Sequence, residues 1–237
     1  MAVYYGKKAV RSWLLDKVSM NRSDYLDQRR AMVDCQVRPS DVTRFPIIEA
    51  MLECPREAFV PDNLRSVAYL GDHLPLSEDR YILDPRIFAK MLNALDIRRT
   101  EFVLDIGCGY GYSSAVISHL AEAVVALESG AMADTAAANL SAYAADNTIA
   151  KSGILRKGAP EFAPYDVMIV QGGVERLPDD IAAQLRDGGR IACIFVDRAP
   201  GECRVGIKRS GQISWHPVFD ADAPLLADYK MEEMFVF

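Results

Sequence analysis

From Glu101 onwards, short apolar runs alternate with longer stretches that have helical spacing. A short apolar run is typical of a buried strand, whereas a longer stretch with apolar residues on one side is typical of a helix. Strands are predicted at 101–106, 123–128, 153–156, 165–170 and 189–196, and helices at 111–121, 130–145 and 178–186. The alternation predicts an α/β fold with a doubly wound, mostly parallel sheet and helices on both faces.

The chain before residue 100 has a different pattern, in which helices are separated by turns. The predicted helices are 25–37, 45–53 and 85–95. A turn-rich segment over 62–83 precedes the last helix, whose start is marked by Asp84 and Pro85. Aspartate caps the free N–H groups of a first turn, and proline loses no hydrogen bond there. This part therefore reads as a helical preface to the sheet.

The domain boundaries follow from these two patterns. We expect an N-terminal extension over 1–22, the helical preface with its loop over 23–99, and the α/β domain over 100–237, packed as one unit. The strand-like pieces CRVGIK, QISWHPVF and MFVF predict that the sheet ends in an antiparallel C-terminal hairpin. Met20 resembles a natural start, which leaves residues 1–19 as an extension, a frayed arm or an artefact of the assigned start.

Composition narrows the classes of function. The 237 residues are 50% hydrophobic, and no block rich in Lys and Arg accompanies the net charge of −6, which argues against a nucleic-acid partner. Five scattered cysteines are typical of free thiols in a reducing cytoplasm, where we expect the protein. The three histidines lie far apart, so no metal is expected. No apolar run is long enough to span a bilayer, so no membrane partner is expected.

Residues 103–118 carry the main candidate chemistry. An apolar strand leads into DIGCGYG at 105–111, and a predicted helix follows. Strand, glycine turn and helix form nucleotide sites in open sheets, because glycine lets the backbone approach a ligand closely. The dinucleotide fingerprint fails because Tyr112 stands where its last glycine belongs, and no Gly-Lys-Ser/Thr of a phosphate loop follows. The pattern acidic-x-Gly-x-Gly-x-Gly is similar to the first motif of S-adenosylmethionine-dependent methyltransferases.

Glu128 ends the next predicted strand, 17 residues after Gly111. This spacing is near that expected for the acid that binds a ribose in such folds. A carboxylate at this place can accept hydrogen bonds from both ribose hydroxyls. The alternative is an ordinary βαβ turn in which an acid stands at the strand end by chance.

Several further motifs, in one order, give a more specific resemblance. The chain resembles the protein-L-isoaspartate O-methyltransferase family over roughly residues 24–200. The similar segments are REAFVP (56–61), AY (68–69), LPL (74–76), Ile82 and Pro85, the glycine loop, APYDVMIV (163–170) and LPDDIAAQLRDGGRIACI (177–194). The resemblance implies a class I methyltransferase with S-adenosylmethionine as cofactor.

The resemblance also implies which residues form the site. Those expected to bind the cofactor are Ile82, Asp105, Gly107, Cys108, Gly109, Gly111, Glu128 and Gly158. Those expected to face the substrate are Arg80, Tyr81, Leu83 and Gln171. No catalytic residue is assigned, because the family's loop serine is Leu83 in this chain. Methyl transfer to a carboxylate needs positioning more than acid–base help, so this absence does not argue against activity.

The substrate loop departs from the family pattern Leu-Pro-Ile-Gly-x-Gly-Gln-Thr-Ile-Ser-x-Pro. The same twelve positions read LPLSEDRYILDP over 74–85. The departures are Ser77 and Asp79 for the two glycines, Arg80 for glutamine, Tyr81 for threonine and Leu83 for serine. Two further motifs also differ, with Lys157-Gly158-Ala159 for Gly-Asp-Gly and Gln171-Gly172-Gly173 for Thr-Ala-Ala. Either other residues serve the same reaction, or the methyl acceptor differs.

Three functions remain open at this point. The first is methyl transfer to a carboxylate of a protein, peptide or small-molecule acceptor, with weak or undetectable activity on isoaspartyl peptides because Leu83 offers no donor. The second is a catalytically silent cofactor-binding or interaction protein on the same fold. A base-modifying enzyme is disfavoured, because its Asn/Asp-Pro-Pro-aromatic motif is absent after the fourth strand. The oligomeric state is not predicted.

Overall fold

A seven-stranded sheet forms the centre of the computed structural model, which describes residues 22–144 and 146–230. The helices are α1 (Arg22–Met32), α2 (Phe45–Glu53), α3 (Pro85–Leu95), α4 (Tyr112–Ser118), α5 (Gly130–Tyr143) and α6 (Asp179–Gln184). The sheet strands are β3 (Phe102–Ile106), β4 (Ala123–Glu128), β5 (Thr148–Ser152), β6 (Tyr165–Val174), β7 (Leu185–Phe195), β8 (Glu202–Arg209) and β9 (Gln212–Asp220). Strands β1 (Leu74–Pro75) and β2 (Tyr81–Ile82) form a separate small hairpin.

The strand order is β5-β4-β3-β6-β7-β8-β9. Strands β3 to β7 pair in parallel, and β8 and β9 extend the sheet in antiparallel pairing. The predicted doubly wound fold and its antiparallel end are therefore confirmed. From β3 the chain continues to β4 and β5 on one side of the sheet, and from β6 it continues to β7 on the other side. The strand order therefore reverses between β3 and β6, and a crevice forms at the carboxyl ends of strands at such a point.

Adjacent residues of one strand lie in opposite cores, as expected for a sheet covered on both faces. In β3, Val103 packs with the helices of the preface, whereas Leu104 belongs to the core on the other face. The first core also takes in Met51 and Phe88 of the preface. The core on the second face includes Leu226, which lies in the segment after β9.

Some predicted boundaries were wrong. The third strand is Thr148–Ser152, not 153–156, where Leu155–Lys157 forms a 3₁₀ turn instead. The apolar pair Ile154-Leu155 suggested a strand, but the strand in the structure is a largely polar edge strand. The helix over 25–37 ends as a π-helical turn at Val33–Val37. The small β1–β2 hairpin was not predicted. Residues 1–21, 145 and 231–237, with the predicted strand MFVF, lie outside the described residues.

The two outer strands of the sheet are irregular. Strand β5 has only five residues, including Lys151, which is ion-paired with Glu161. Strand β9 contains Pro217, and its register against β8 shifts between Cys203 and Arg204. Neither edge is therefore a long uninterrupted ladder. No helix within 22–144 or 146–230 has the length and apolar character needed to cross a membrane.

Candidate active site

The glycine loop begins where β3 ends in the middle of the sheet. Gly107, Gly109 and Gly111 have φ of 75°, 60° and 100°, a region that side chains other than glycine rarely adopt. The N–H of Gly107 donates to the carbonyl of Leu127 at 2.9 Å, which ties the loop to β4. A Cβ at Gly109 would collide with the side chain of Leu76, so the hairpin loop lies directly on the glycine loop.

Asp105 lies beneath this loop and is completely buried. Its carboxylate accepts hydrogen bonds from the Ser113 and Ser114 hydroxyls, each at 2.5 Å, and from Gln171 Nε2 at 2.8 Å. Burial raises the pKa of Asp105 from 3.8 to about 6, although these three donors oppose the rise. Asp105 thus joins the start of α4 to β6 under the glycine loop.

Glu128 lies beside the same loop and is 1% exposed. Its Oε2 accepts the N–H of Gly109 at 2.8 Å. Its Oε1 accepts the N–H of Ser129 at 2.8 Å and Nε of Arg80 at 3.0 Å. The acid at the end of β4 and the glycine loop after β3 are therefore in contact, as parallel strand order requires.

Arg80 reaches Glu128 from the hairpin loop between β1 and β2. The loop is closed by the Leu76 N–H, which donates to the Arg80 carbonyl at 2.8 Å. Nη1 of Arg80 also donates to Asp79 Oδ2 at 2.9 Å, and the Ser77 hydroxyl donates to Asp79 Oδ1 at 2.9 Å. Arg80 is 6% exposed, so its guanidinium is engaged and not presented to solvent.

A small cavity of about 10 Å³ lies between the hairpin loop and the glycine loop, with room for roughly one water molecule. Its lining includes six of the predicted site residues, namely Tyr81, Ile82, Leu83, Gly107, Cys108 and Gln171. Phe88, Tyr112 and Ser113 also line it and were not predicted. Tyr112 and Ser113 are the first residues of the helix that follows the glycine loop. Their position directly after the loop could have identified them as site residues.

Gly158 lies apart from this cavity. It has φ of 68°, and a Cβ there would collide with the side-chain amide of Gln184. The same amide oxygen accepts the N–H of Ala159 at 2.9 Å. A Cβ on Gly107 would instead approach Leu155 and Leu226 at 3.5 and 3.7 Å, which cover the far side of the loop.

Arg56 is a further buried residue that sequence reasoning did not single out, although REAFVP contained it. Its Nε donates to the Ala68 carbonyl at 2.7 Å and its Nη2 to the Leu83 carbonyl at 2.9 Å. The guanidinium carbon also lies 4.9 Å from the centre of the Tyr112 ring. Arg56 therefore fixes the backbone of Leu83 against the helix that follows the glycine loop.

Fold and site together define a class I S-adenosylmethionine-dependent methyltransferase. The family model described as protein-L-isoaspartate(D-aspartate) O-methyltransferase (PCMT) matches residues 28–210, and the chain belongs to this family. This match, with the relatives described below, confirms the family, the enzyme class and S-adenosylmethionine as cofactor, which the sequence had predicted.

Two relatives illustrate the similarity in sequence. Protein-L-isoaspartate O-methyltransferase 1 of Rhodopseudomonas palustris (strain HaA2) is 38% identical over 175 residues, or 73% of this chain and 71% of that one. Protein-L-isoaspartate O-methyltransferase of Roseiflexus sp. (strain RS-1) is 36% identical over 189 residues, which cover 79% of this chain and 86% of that one.

Two solved structures show the same fold. A protein-L-isoaspartate O-methyltransferase has a TM-score of 0.72 and 25% identity, covering 83% of this chain and 65% of that one. A Plasmodium falciparum structure in complex with S-adenosyl-L-homocysteine has a TM-score of 0.68 and 17% identity, covering 86% of this chain and 98% of that one.

The residues at the site fit S-adenosylmethionine in their chemistry. All three loop glycines hold a positive φ that other residues rarely adopt, which suits a backbone that a ligand approaches closely, and Glu128 is an acceptor suited to ribose hydroxyls. No group of three or more His, Cys, Asp or Glu that could hold a metal ion occurs among the described residues.

Proposed function

We propose that this enzyme methylates a carboxylate on a protein or peptide, and that an isoaspartyl carboxylate is such an acceptor. The cavity lining supports this choice, because the side chains around it include no carboxylate or imidazole. An amine or hydroxyl acceptor needs a base to remove its proton, whereas a carboxylate is already ionised and nucleophilic at neutral pH. The family's name indicates the same class of acceptor.

The chain's own residues then act by positioning and by excluding water. S-adenosylmethionine supplies an electrophilic methyl group on its sulfonium when bound. The apolar side chains of Ile82 and Leu83 border the cavity and are suited to limiting the access of water to the sulfonium. Arg56 holds Leu83 in place through its carbonyl. Burial raises the pKa of Cys108 well above its ordinary value, so its thiol stays protonated and does not compete as a nucleophile.

Leu83 is the residue that limits the proposed reaction. The family's serine at this position is expected to donate a hydrogen bond to the acceptor carboxylate, and leucine has no donor. A hydrogen bond to a charged group contributes about 1.5–3 kcal/mol, which corresponds to a rate lower by about tenfold to a hundredfold. We therefore expect slow turnover on isoaspartyl peptides.

The test compares methyl transfer from labelled cofactor to an isoaspartyl peptide and to the same peptide with ordinary aspartate. The wild type should label only the first, and Leu83→Ser should label it about tenfold to a hundredfold faster. Leu83→Ala is the matched control, because it loses similar volume at this 2% exposed position without gaining a hydroxyl. No labelling by either the wild type or Leu83→Ser refutes the proposed acceptor.

A further inference from the structure

The acid that is expected to bind the ribose is already occupied by the protein itself. Oε1 of Glu128 accepts hydrogen bonds from Nε of Arg80 at 3.0 Å, from the N–H of Ser129 at 2.8 Å and from the Ser129 hydroxyl at 3.3 Å, and Oε2 accepts one from the N–H of Gly109. A carboxylate oxygen offers about two lone-pair sites, so Oε1 has none to spare. A ribose hydroxyl can reach Oε1 only if a donor leaves it, and Arg80 is the donor that the hairpin loop carries.

Three departures from the family loop form one continuous set of contacts to this acid. The Ser77 hydroxyl donates to Asp79, Asp79 accepts Nη1 of Arg80, and Arg80 pairs with Glu128. We call these four residues the latch. Ser77 and Asp79 stand where the family has glycine, and Arg80 stands where it has glutamine, which carries no charge. Taken alone, each of these three changes suggests a lost substrate contact. Together, they hold the guanidinium of Arg80 against the carboxylate of Glu128.

The hairpin loop that carries the latch also closes the space above the glycine loop. The Leu76 side chain occupies the position next to Gly109 that a Cβ would fill. The adjoining cavity measures about 10 Å³, whereas sites for small ligands usually enclose roughly 300–1,000 Å³. The hairpin loop must therefore move before a cofactor of nucleoside size can enter.

From these contacts we infer that Arg80 controls admission of the cofactor: the nucleoside binds by displacing Arg80 from Glu128, and the latch holds the hairpin loop closed over the glycine loop. The inference rests on S-adenosylmethionine as cofactor, and it is independent of the acceptor proposed above. Arg80→Gln leaves Glu128 buried without its cation in the closed arrangement, which is costly. The closed state is thereby weakened relative to the cofactor-bound state, so binding becomes tighter.

Titration calorimetry with S-adenosyl-L-homocysteine tests this without any catalytic step. Arg80→Gln should bind about tenfold or more tightly than the wild type, because the closed state loses a buried ion pair. Asp79→Gly should tighten binding less, since it removes only the support of Arg80; its exposed position makes it the variant least able to disturb folding. Arg86→Gln is the matched control, because Arg86 pairs with Asp84 at 2.7 Å and makes no contact with Glu128. Its affinity should equal that of the wild type.

Equal or weaker binding by Arg80→Gln, including no binding by either protein, overturns the inference. Equal tightening by Arg86→Gln does so as well, because a general loss of positive charge would then explain the effect. The proposed acceptor fails independently. If Arg80→Gln binds more tightly but no peptide is methylated, the latch stands and the acceptor is wrong. If peptides are methylated and affinities are unchanged, the acceptor stands and the latch is wrong.

Discussion

The buried carboxylate of Asp105 should make the native protein less stable at neutral pH than it would be with a neutral group. Its pKa rises from 3.8 to about 6 because burial opposes ionisation more than its hydrogen bonds favour it. One pKa unit is worth 1.36 kcal/mol, so the ionised form costs about 3 kcal/mol of folding free energy above pH 6. Asp105→Asn is therefore expected to stabilise the protein by about 1–3 kcal/mol at neutral pH.

The dependence on pH distinguishes this cause from others. Between pH 3.8 and about 6 the folded chain holds a proton on Asp105 that the unfolded chain has released, so wild-type stability falls as pH rises. This stabilising contribution is complete below pH 3.8 and is lost above about pH 6. The advantage of Asp105→Asn should thus be small near pH 4, grow with pH and become constant above about pH 6 to 7.

Urea unfolding of both proteins at several pH values between about 4 and 8 measures this difference directly. A stability difference between the two proteins that does not change with pH would refute the reasoning. A wild type that is more stable than Asp105→Asn at about pH 8 would also refute it. Asp105→Asn should also bind S-adenosyl-L-homocysteine more weakly, because Asp105 is one of the residues expected to bind the cofactor. Greater stability with weaker binding is the pattern of a residue kept for function.

Three further predictions concern the same region. In an Arg80→Gln background, Glu128→Ala should weaken S-adenosyl-L-homocysteine binding by about 1.5–3 kcal/mol in calorimetry, and unchanged affinity would argue against a ribose contact. Gly109→Val should abolish cofactor binding, because valine does not tolerate a φ of 60° and would meet Leu76. Its circular dichroism spectrum should remain native, and normal binding would place Gly109 away from the cofactor. Burial tends to raise the pKa of Asp84, but hydrogen bonds from Arg86 bring it below its ordinary value. Asp84→Asn should therefore destabilise the protein by about 1 kcal/mol in urea unfolding at neutral pH, with less effect as the pH falls below about 4; a loss independent of pH would contradict this.

The sequence could predict the centre of the site because local patterns determine it. The glycine loop follows one buried strand, and Glu128 follows the next, so parallel pairing had to bring them together. The misplaced strand β5 shows where this logic fails. Its residues alternate weakly because it is an edge strand with little burial, and the apolar pair Ile154-Leu155 nearby gave the stronger signal.

The contacts made by the hairpin loop could not be predicted in the same way. Arg80 is 48 residues from Glu128, and an arginine in a polar loop usually lies in solvent. The packing of Leu226 on Gly107 and Gly172 links segments more than 50 residues apart. Such contacts depend on how the helical preface and the segment after β9 pack on the sheet. The periodicity of apolar residues does not determine that packing.

The irregular outer strands of the sheet are unfavourable for edge-to-edge pairing with a strand of another chain. An open strand edge offers unpaired N–H and C=O groups to another chain and is a common start of aggregation. Pro217 has no N–H to offer on the β9 edge, and the register shift opposite it bends the ladder. On the other side, β5 is short and carries the charged Lys151. Exposed Ile149 and Val218 therefore lie on strands whose irregular backbone opposes pairing with a further strand.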